Sequence, residues 1–308
     1  MTGPETEEAV PRIDGHLHVF AEVSTEFPRE VDEVLPPDRD ETAEKLLGVM
    51  APYGVEQAVL VQIGGTRLEQ HAYLRHCVDS YPNRFLGIGL IPPDSDAPET
   101  HMDRLAESGG IIGFRLSNLS GDIREGGEVD VEEIPAYRIW RHAAERDYVL
   151  WMYCREGDAA LVPRLVEAFP GVRVVLNHLG VCPKPETFSW DENGRPRIDT
   201  PMPPRTGEIT LGLGKHDNVC VHISGQYAFS NEPWPYRDLA GWHGELLDAF
   251  GVERLIWATD FPWILEDPGY GPLTRVVDEL LPGLSASERD AVMGGNAKRF
   301  LRFPDLSS

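Results

Sequence analysis

The chain has 308 residues, 41% hydrophobic and 26% charged, enough apolar material for a sizeable core in one large domain or two small ones. Asp and Glu outnumber Lys and Arg by 51 to 28, a formal charge of −23. A field of that sign repels phosphate backbones and anionic lipid, which excludes nucleic acid and membrane surfaces as partners and leaves a small-molecule substrate.

The opening "MTGPETEEAVP" is polar and acidic, with neither a basic segment nor an apolar core, so it reads as a flexible tail over residues 1–11 and not as a signal peptide. No run approaches the about 18 apolar residues of a membrane span. Cys77, Cys154, Cys182 and Cys220 include no CxxC pair and read as reduced, mostly buried thiols. Together these features predict a cytoplasmic protein. They leave its oligomeric state open, a homo-oligomer included.

The first structured stretch is "RIDGHLHVF", in which His16 and His18 are two residues apart and so share one face of a strand. A long segment rich in Pro and acidic residues follows (21–39). "DETAEKLLGVMAPYG" then has helical spacing, with Asp40 as its expected N-cap and Gly54 as its stop. Beyond it, "QAVLVQI" (57–63), "RFLGIGLIP" (84–92), "GIIGFRLS" (110–117), "YVLWMYC" (148–154), "RVVLNHLG" (173–180), "NVCVHISG" (218–225) and "RLIWATDFP" (254–262) recur, with amphipathic helical stretches between them. Short continuous apolar runs suit strands buried on both faces of a parallel sheet. Eight strands alternating with helices predict an α/β protein with one (β/α)8 TIM barrel over residues 12–303, and a short C-terminal tail at 304–308. The open doubly wound sheet is the runner-up, and no GxGxxG turn supports it. Segments 21–39 and 181–208 both follow strand C-termini, where a barrel builds its site, and read as lid insertions.

On that frame His16 and His18 come late in strand 1, His178 ends strand 6 and Asp260 ends strand 8, so four titratable groups meet at one mouth. Each alone has a bland reading: a satisfied histidine, or an aspartate capping a helix. The conjunction is what points to chemistry. His71, His76, His101, His142, His216 and His243 fall in helices or loops and read as surface residues. Arg115, ending strand 4, is either a planar fork for a substrate carboxylate or one half of a barrel salt bridge.

"DGHLH", "NHLG" and "WATDFPW" together resemble the amidohydrolase superfamily in its amidohydrolase-related (family 2) branch, over roughly residues 12–303. The nearest resemblance is to lactonases acting on 2-pyrone-4,6-dicarboxylate and on sugar lactones, with non-oxidative decarboxylases of the aminocarboxymuconate semialdehyde type more distant. The resemblance implies a barrel hydrolase that opens a lactone or similar cyclic ester. Asp260 activates water, and the carbonyl is polarised either by His16, His18 and His178 or by a divalent metal such as zinc on His16, His18 and Asp260. A metal-dependent decarboxylase is the first alternative and a non-catalytic binding barrel the second. Tyr153 stands where decarboxylases carry a histidine ligand, and it is a poor ligand at neutral pH; Cys154 should face the other way. Asp14 is expected to support the site. Tyr153, Ser224, Tyr227 and Trp263, with Arg115, are the expected substrate contacts. "SGQYA" puts Ala228 where the lactonase pattern has arginine, and Trp263 replaces a histidine. Trp234 and Tyr236 are expected near the same mouth. Arg195 and Arg205 are the loop residues that could supply a second cation. Such a mouth suits a monoanionic or neutral lactone with an apolar body better than a dicarboxylate.

Overall fold

Short, β-rich apolar runs leave no polar face, so their strands are stable only when covered on both sides. The computed structural model, which describes residues 10–120 and 129–306, covers them in that way. The strands are β1 (Arg12–Leu17), β2 (Val55–Val61), β3 (Phe85–Leu90), β4 (Ile111–Leu116), β5 (Val149–Met152), β6 (Val174–Leu176), β7 (Phe188–Trp190), β8 (Pro196–Ile198), β9 (Val219–Ile223) and β10 (Leu255–Trp257). Eight form one parallel sheet in the order β1-β2-β3-β4-β5-β6-β9-β10, and β7-β8 make a separate antiparallel pair.

The sheet curls into a nearly closed barrel. Its first and last strands are joined at their C-terminal ends, where Asp260 N–H donates to His16 O at 3.0 Å and His18 N–H donates to Phe261 O at 2.7 Å. The eight apolar runs are therefore the eight barrel strands, in chain order. A side chain at Gly15 would block this closure, since a Cβ there would lie 2.5 Å from Ile256 Cγ2 and 2.9 Å from Trp257 O. Of the expected N-terminal tail, residues 1–9 lie outside the described residues.

Two local expectations are corrected. The helix after the first long loop is Ala43–Met50, and its cap is Thr42, whose Oγ1 accepts from Lys45 N at 3.3 Å, not Asp40. Asp40 instead pairs with Lys45 Nζ at 2.8 Å. His71 and His243 are fully buried and His101 nearly so. Backbone groups make that burial tolerable: His71 Nδ1 pairs with Arg67 O and its Nε2 accepts from Leu90 N–H, His101 Nε2 pairs with Leu90 O, and His243 Nδ1 pairs with Leu239 O. Segment 181–208, read above as a lid insertion, carries the β7–β8 hairpin. The segment over 21–39 is pinned from within by Arg29, which donates to Ala21 O, Leu35 O, Pro36 O and Arg39 O.

Candidate active site

The site is organised from below by Asp14. Its buried carboxylate accepts from Thr259 N–H at 2.9 Å, Thr259 Oγ1–H at 2.5 Å and Tyr270 Oη–H at 3.0 Å. Burial pushes its pKa up to about 6 against those donors. The effect is to tie β1 to the residue just before Asp260, as expected of a supporting group.

Asp260 and His178 both sit in the left-handed backbone region, at φ 63° and 42°. That conformation costs a non-glycine residue about 1–3 kcal/mol, and here it turns both side chains into the mouth. His18 Nε2 lies 3.5 Å and His16 Nε2 3.6 Å from Asp260 Oδ1, while Tyr227 Oη–H donates to Oδ2 at 2.6 Å. Ring centroids of His16 lie 5.1 Å from His18 and 4.7 Å from His178. Burial would raise the Asp260 pKa, but His178, His18 and Tyr227 more than offset it and hold it at about 2. Burial lowers His178 to about 4. At neutral pH the centre therefore holds an ionised carboxylate beside a neutral imidazole.

Above these groups is a cavity of about 140 Å³. His18, His178, Asp260, Arg115, Tyr153, Tyr227 and Trp263 line it, so seven of the nine residues singled out in the sequence reach it. His16 lies beneath it, fully buried. Ser224 does not line it either; its Oγ is 3.1 Å from His178 Nδ1 and holds that ring. Tyr227 lines the wall, yet its hydroxyl is committed to Asp260. Arg115 has no hydrogen bond or ion pair among the described residues, and burial lowers its pKa despite Tyr153 and Asp260 nearby. Cys154 does face away from Tyr153, and its Sγ lies 3.5 Å from Cys182 Sγ, both free thiols.

The aromatic wall differs from the expected one. Trp263 and Tyr227 are in it, but Trp234 and Tyr236 pack on each other outside the lining, and Phe188 and Trp190 of the hairpin take their place. The rings of Trp190 and Trp263 are 5.8 Å apart. Neither loop arginine lines the cavity. Arg195 is held by Asp191 at 2.7 Å and Asp267 at 3.0 Å, and Arg205 pairs with Glu156 at 3.8 Å.

One buried residue escaped the sequence reading. His222 on β9 lies with its ring 5.4 Å from those of His16 and Trp151, and neither ring nitrogen has a partner among the described residues. The signal was there: in "VCVHISG" it alternates with Ser224 and so points inward.

A parallel barrel with histidines and an aspartate converging at the C-terminal ends of its strands defines a barrel enzyme of the histidine–carboxylate class. The family model described as Amidohydrolase matches residues 13–303, and the chain belongs to that amidohydrolase family, the type-2 branch. A D-galactarolactone isomerase from Agrobacterium fabrum is 24% identical over 266 residues, 85% of this chain and 80% of that protein. Protein y4mH of Sinorhizobium fredii is 28% identical over 178 residues, 57% of this chain, which thus spans about half the length of that relative, 54%. Among solved structures, a Pseudomonas putida protein assigned as a 2-pyrone-4,6-dicarboxylic acid hydrolase has a TM-score of 0.71 at 21% identity, covering 97% of this chain and 99% of its own. An amidohydrolase from Burkholderia multivorans with bound zinc has a TM-score of 0.70 at 21% identity, covering 95% and 99%.

The family thus raises the question of a metal. His16, His178 and Asp260 offer donor atoms within 4.8 Å of one another, so the group that could hold an ion includes His178 where His18 was expected. The donor chemistry at His16 does not fit. Its Nδ1 lies 3.1 Å from Trp151 Nε1, and an indole N–H can only donate. Nδ1 must accept, so in the neutral ring Nε2 carries the proton and has no lone pair for an ion. No helix among the described residues is long and apolar enough to cross a membrane.

Proposed function

We propose that the protein hydrolyses a lactone or similar cyclic ester of monoanionic or neutral character, with no metal step. The observation that carries this reading is the cavity itself, which brings an ionised Asp260, a neutral His178, an unpaired Arg115 and a wall of Phe188, Trp190 and Trp263 around one small volume.

In this reading Asp260 Oδ1 takes a proton from water as the water oxygen bonds to the ring carbonyl carbon. His178 faces the carbonyl oxygen from the cavity wall, where a fixed donor stabilises the developing negative charge, while His18, whose Nδ1–H goes to Val61 O, lines the wall without a proton to give in its neutral form. The ring C–O bond then breaks, and the leaving oxygen recovers the proton from Asp260, so one lactone and one water give one hydroxy acid. Asp260 at about 2 is a weak base. Base strength near the working pH is optimal, so this site favours a ring ester whose leaving oxygen is already stabilised, such as an enol or phenol type. Arg115 receives a carboxylate, and the tryptophans take the apolar body.

The test is turnover of a lactone panel, with Asp260→Asn as control. Ring opening by the wild type, with loss of about 10³-fold or more in the folded variant, supports the reading; equal rates in the two remove Asp260 as base. The similarity to a lactone isomerase motivates a second reading, ring migration without net hydrolysis. Labelled-water experiments separate them, because hydrolysis leaves solvent oxygen in the carboxylate product and isomerisation does not. A decarboxylase would need a firmly held ion, which the state of His16 disfavours.

A further inference from the structure

The two histidines of the strand-1 pair share a face, yet their outer nitrogens meet opposite chemistry. His18 Nδ1 lies 2.8 Å from Val61 O, a backbone carbonyl that can only accept, so His18 donates there. His16 Nδ1 meets the Trp151 indole N–H, which can only donate. Histidines that bind metals through Nε2 almost always pass their Nδ1–H to a carboxylate, carbonyl or water, which fixes the ligating tautomer. His18 has that arrangement; His16 has its inverse.

We propose that Trp151 fixes His16 as the Nε2–H tautomer and so makes the buried His16–His178–Asp260 group a hydrogen-bonding centre that takes no divalent cation through His16. Two buried atoms mark where that proton points. His16 Nε2 and Asp260 Oδ1 are 3.6 Å apart, and neither has a hydrogen-bond partner among the described residues. A proton on His16 Nε2 faces the oxygen assigned above as the base and steadies its charge from below. An ion in the same place would need that proton gone, and would leave either an imidazolate or an indole N–H pressed on an Nδ1–H. Trp151 is itself fully buried on β5, with its ring against His222, and is not free to turn away. It is a positioning residue acting through His16, two positions before Tyr153 and on the same alternation.

The inference rests on the proposed hydrolase reading only in naming Asp260 as base; its measurements need no substrate. Nitrogen-15 NMR of histidine-labelled protein, with His16 assigned by loss of its signals in His16→Gln, reads the tautomer directly. The expected result is an unprotonated Nδ1 and a protonated Nε2 at His16. Cobalt(II) titration followed by visible absorption should show no saturable site in the wild type. Trp151→Gln, whose amide oxygen can accept from Nδ1–H, should gain cobalt affinity by at least about tenfold, since it restores the ligating tautomer. Trp151→Phe, which only removes the donor, should fall between. A wild-type His16 protonated at Nδ1, or stoichiometric cobalt binding by the wild type that His16→Gln abolishes, overturns the proposal even if both Trp151 variants fail to fold. Failure of every lactone to react, with the tautomer as expected, would sink the hydrolase reading and leave this inference standing.

Discussion

The Tyr227 hydroxyl donates to Asp260 Oδ2 at 2.6 Å, and the second carboxylate oxygen, Oδ1, faces His16 and His18 with no hydrogen bond among the described residues. One oxygen is thus anchored and the other is left for chemistry. The anchor has a price in basicity, because a donor to the ionised form lowers the pKa. Tyr227→Phe should therefore raise the Asp260 pKa from about 2 towards the ordinary 3.8. A base acts only above its pKa, so the acid limb of kcat/KM should move to higher pH in the variant. A charge-assisted hydrogen bond is worth about 1.5–3 kcal/mol, so loss of orientation should lower kcat by roughly 10–100-fold. A pH–rate profile of both proteins checks this, and an unmoved acid limb would mean that Tyr227 acts only as packing.

Asp14 makes a separable prediction about stability. Three donors from Thr259 and Tyr270 converge on a carboxylate whose pKa is raised to about 6 from 3.8. For an acid raised on folding, the favourable contribution is complete below pH 3.8 and is lost as pH rises through about 6. Asp14→Ala strands those donors and should cost about 2–4 kcal/mol at pH 7. Asp14→Asn keeps an acceptor for Thr259 N–H, lets the two hydroxyls turn to accept, and removes the ionisation. It should stay near wild-type stability and flatten the decline between pH 4 and 7. Urea unfolding across that range decides between them, and an unchanged slope in Asp14→Asn would show that Asp14 does not carry the dependence.

Periodicity and strand ends made most of this legible in the sequence. Runs such as "QAVLVQI" and "NVCVHISG" can be stable only when covered on both faces, so eight of them announced the barrel. A barrel then fixes where His178 and Asp260 must lie. What stayed hidden depends on contacts across the fold. Nothing in "YVLWMYC" says that the Trp151 N–H meets His16, 135 residues away in the chain. Trp234 and Tyr236 sit close to the strand-9 segment in sequence, yet the mouth takes its rings from Phe188 and Trp190, because a three-residue antiparallel pairing in a Pro-rich loop folds the hairpin back over it. His71 and His243 were misread because helical position alone does not reveal that a backbone carbonyl waits for a buried ring.

That hairpin should set how tightly apolar substrates bind. Trp190 is 47% exposed and pairs with Trp263 across the mouth, while Arg197 anchors the strand to Tyr227 O and Ser230 O. An aromatic pair of this kind adds about 0.5–1.5 kcal/mol beyond its buried area. Trp190→Ala should raise KM for lactones with an apolar body by up to about tenfold, since about 1.4 kcal/mol is a factor of ten. It should change kcat little, because the ring contacts of Trp190 among the described residues are with Phe188 and Trp263 and not with Asp260 or the histidines. Its half-exposed position predicts a stability change within about 1 kcal/mol. Steady-state rates on lactones of graded size test this; a fall in kcat with KM unchanged would place Trp190 near the reacting bond instead.

Arg115 decides the charge of the substrate. Arg115 lines the cavity with no ion pair among the described residues, and Asp260, the carboxylate whose charge it feels, is held by the Tyr227 hydroxyl. A buried cation without a partner is costly, and a substrate carboxylate would relieve that cost with a bidentate fit. Among the described residues Arg115 is the only arginine or lysine lining the cavity: Arg195 and Arg205 lie outside it with acidic partners, Ala228 offers no charge, and Arg39 stacks over the Trp263 ring at 5.4 Å and pairs with Glu41. Arg115→Met keeps the length of the side chain and removes the charge. For a lactone bearing one carboxylate, kcat/KM should fall by at least about 100-fold, in line with about 3 kcal/mol for a charge-assisted contact, while its neutral methyl ester should change by less than about threefold. Folding stability should be unchanged or higher, because the variant loses an unsatisfied charge and no salt bridge. If Arg115 instead braced the barrel, the variant would unfold at lower urea and lose both substrates alike. A dicarboxylate should remain the poorest of the three lactones, since its second carboxylate would sit unpaired against Trp190 and Trp263. Competition among the three lactones, followed by product NMR on wild type and variant, reads all of these outcomes; a dicarboxylate turned over fastest by the wild type would refute the monoanion assignment.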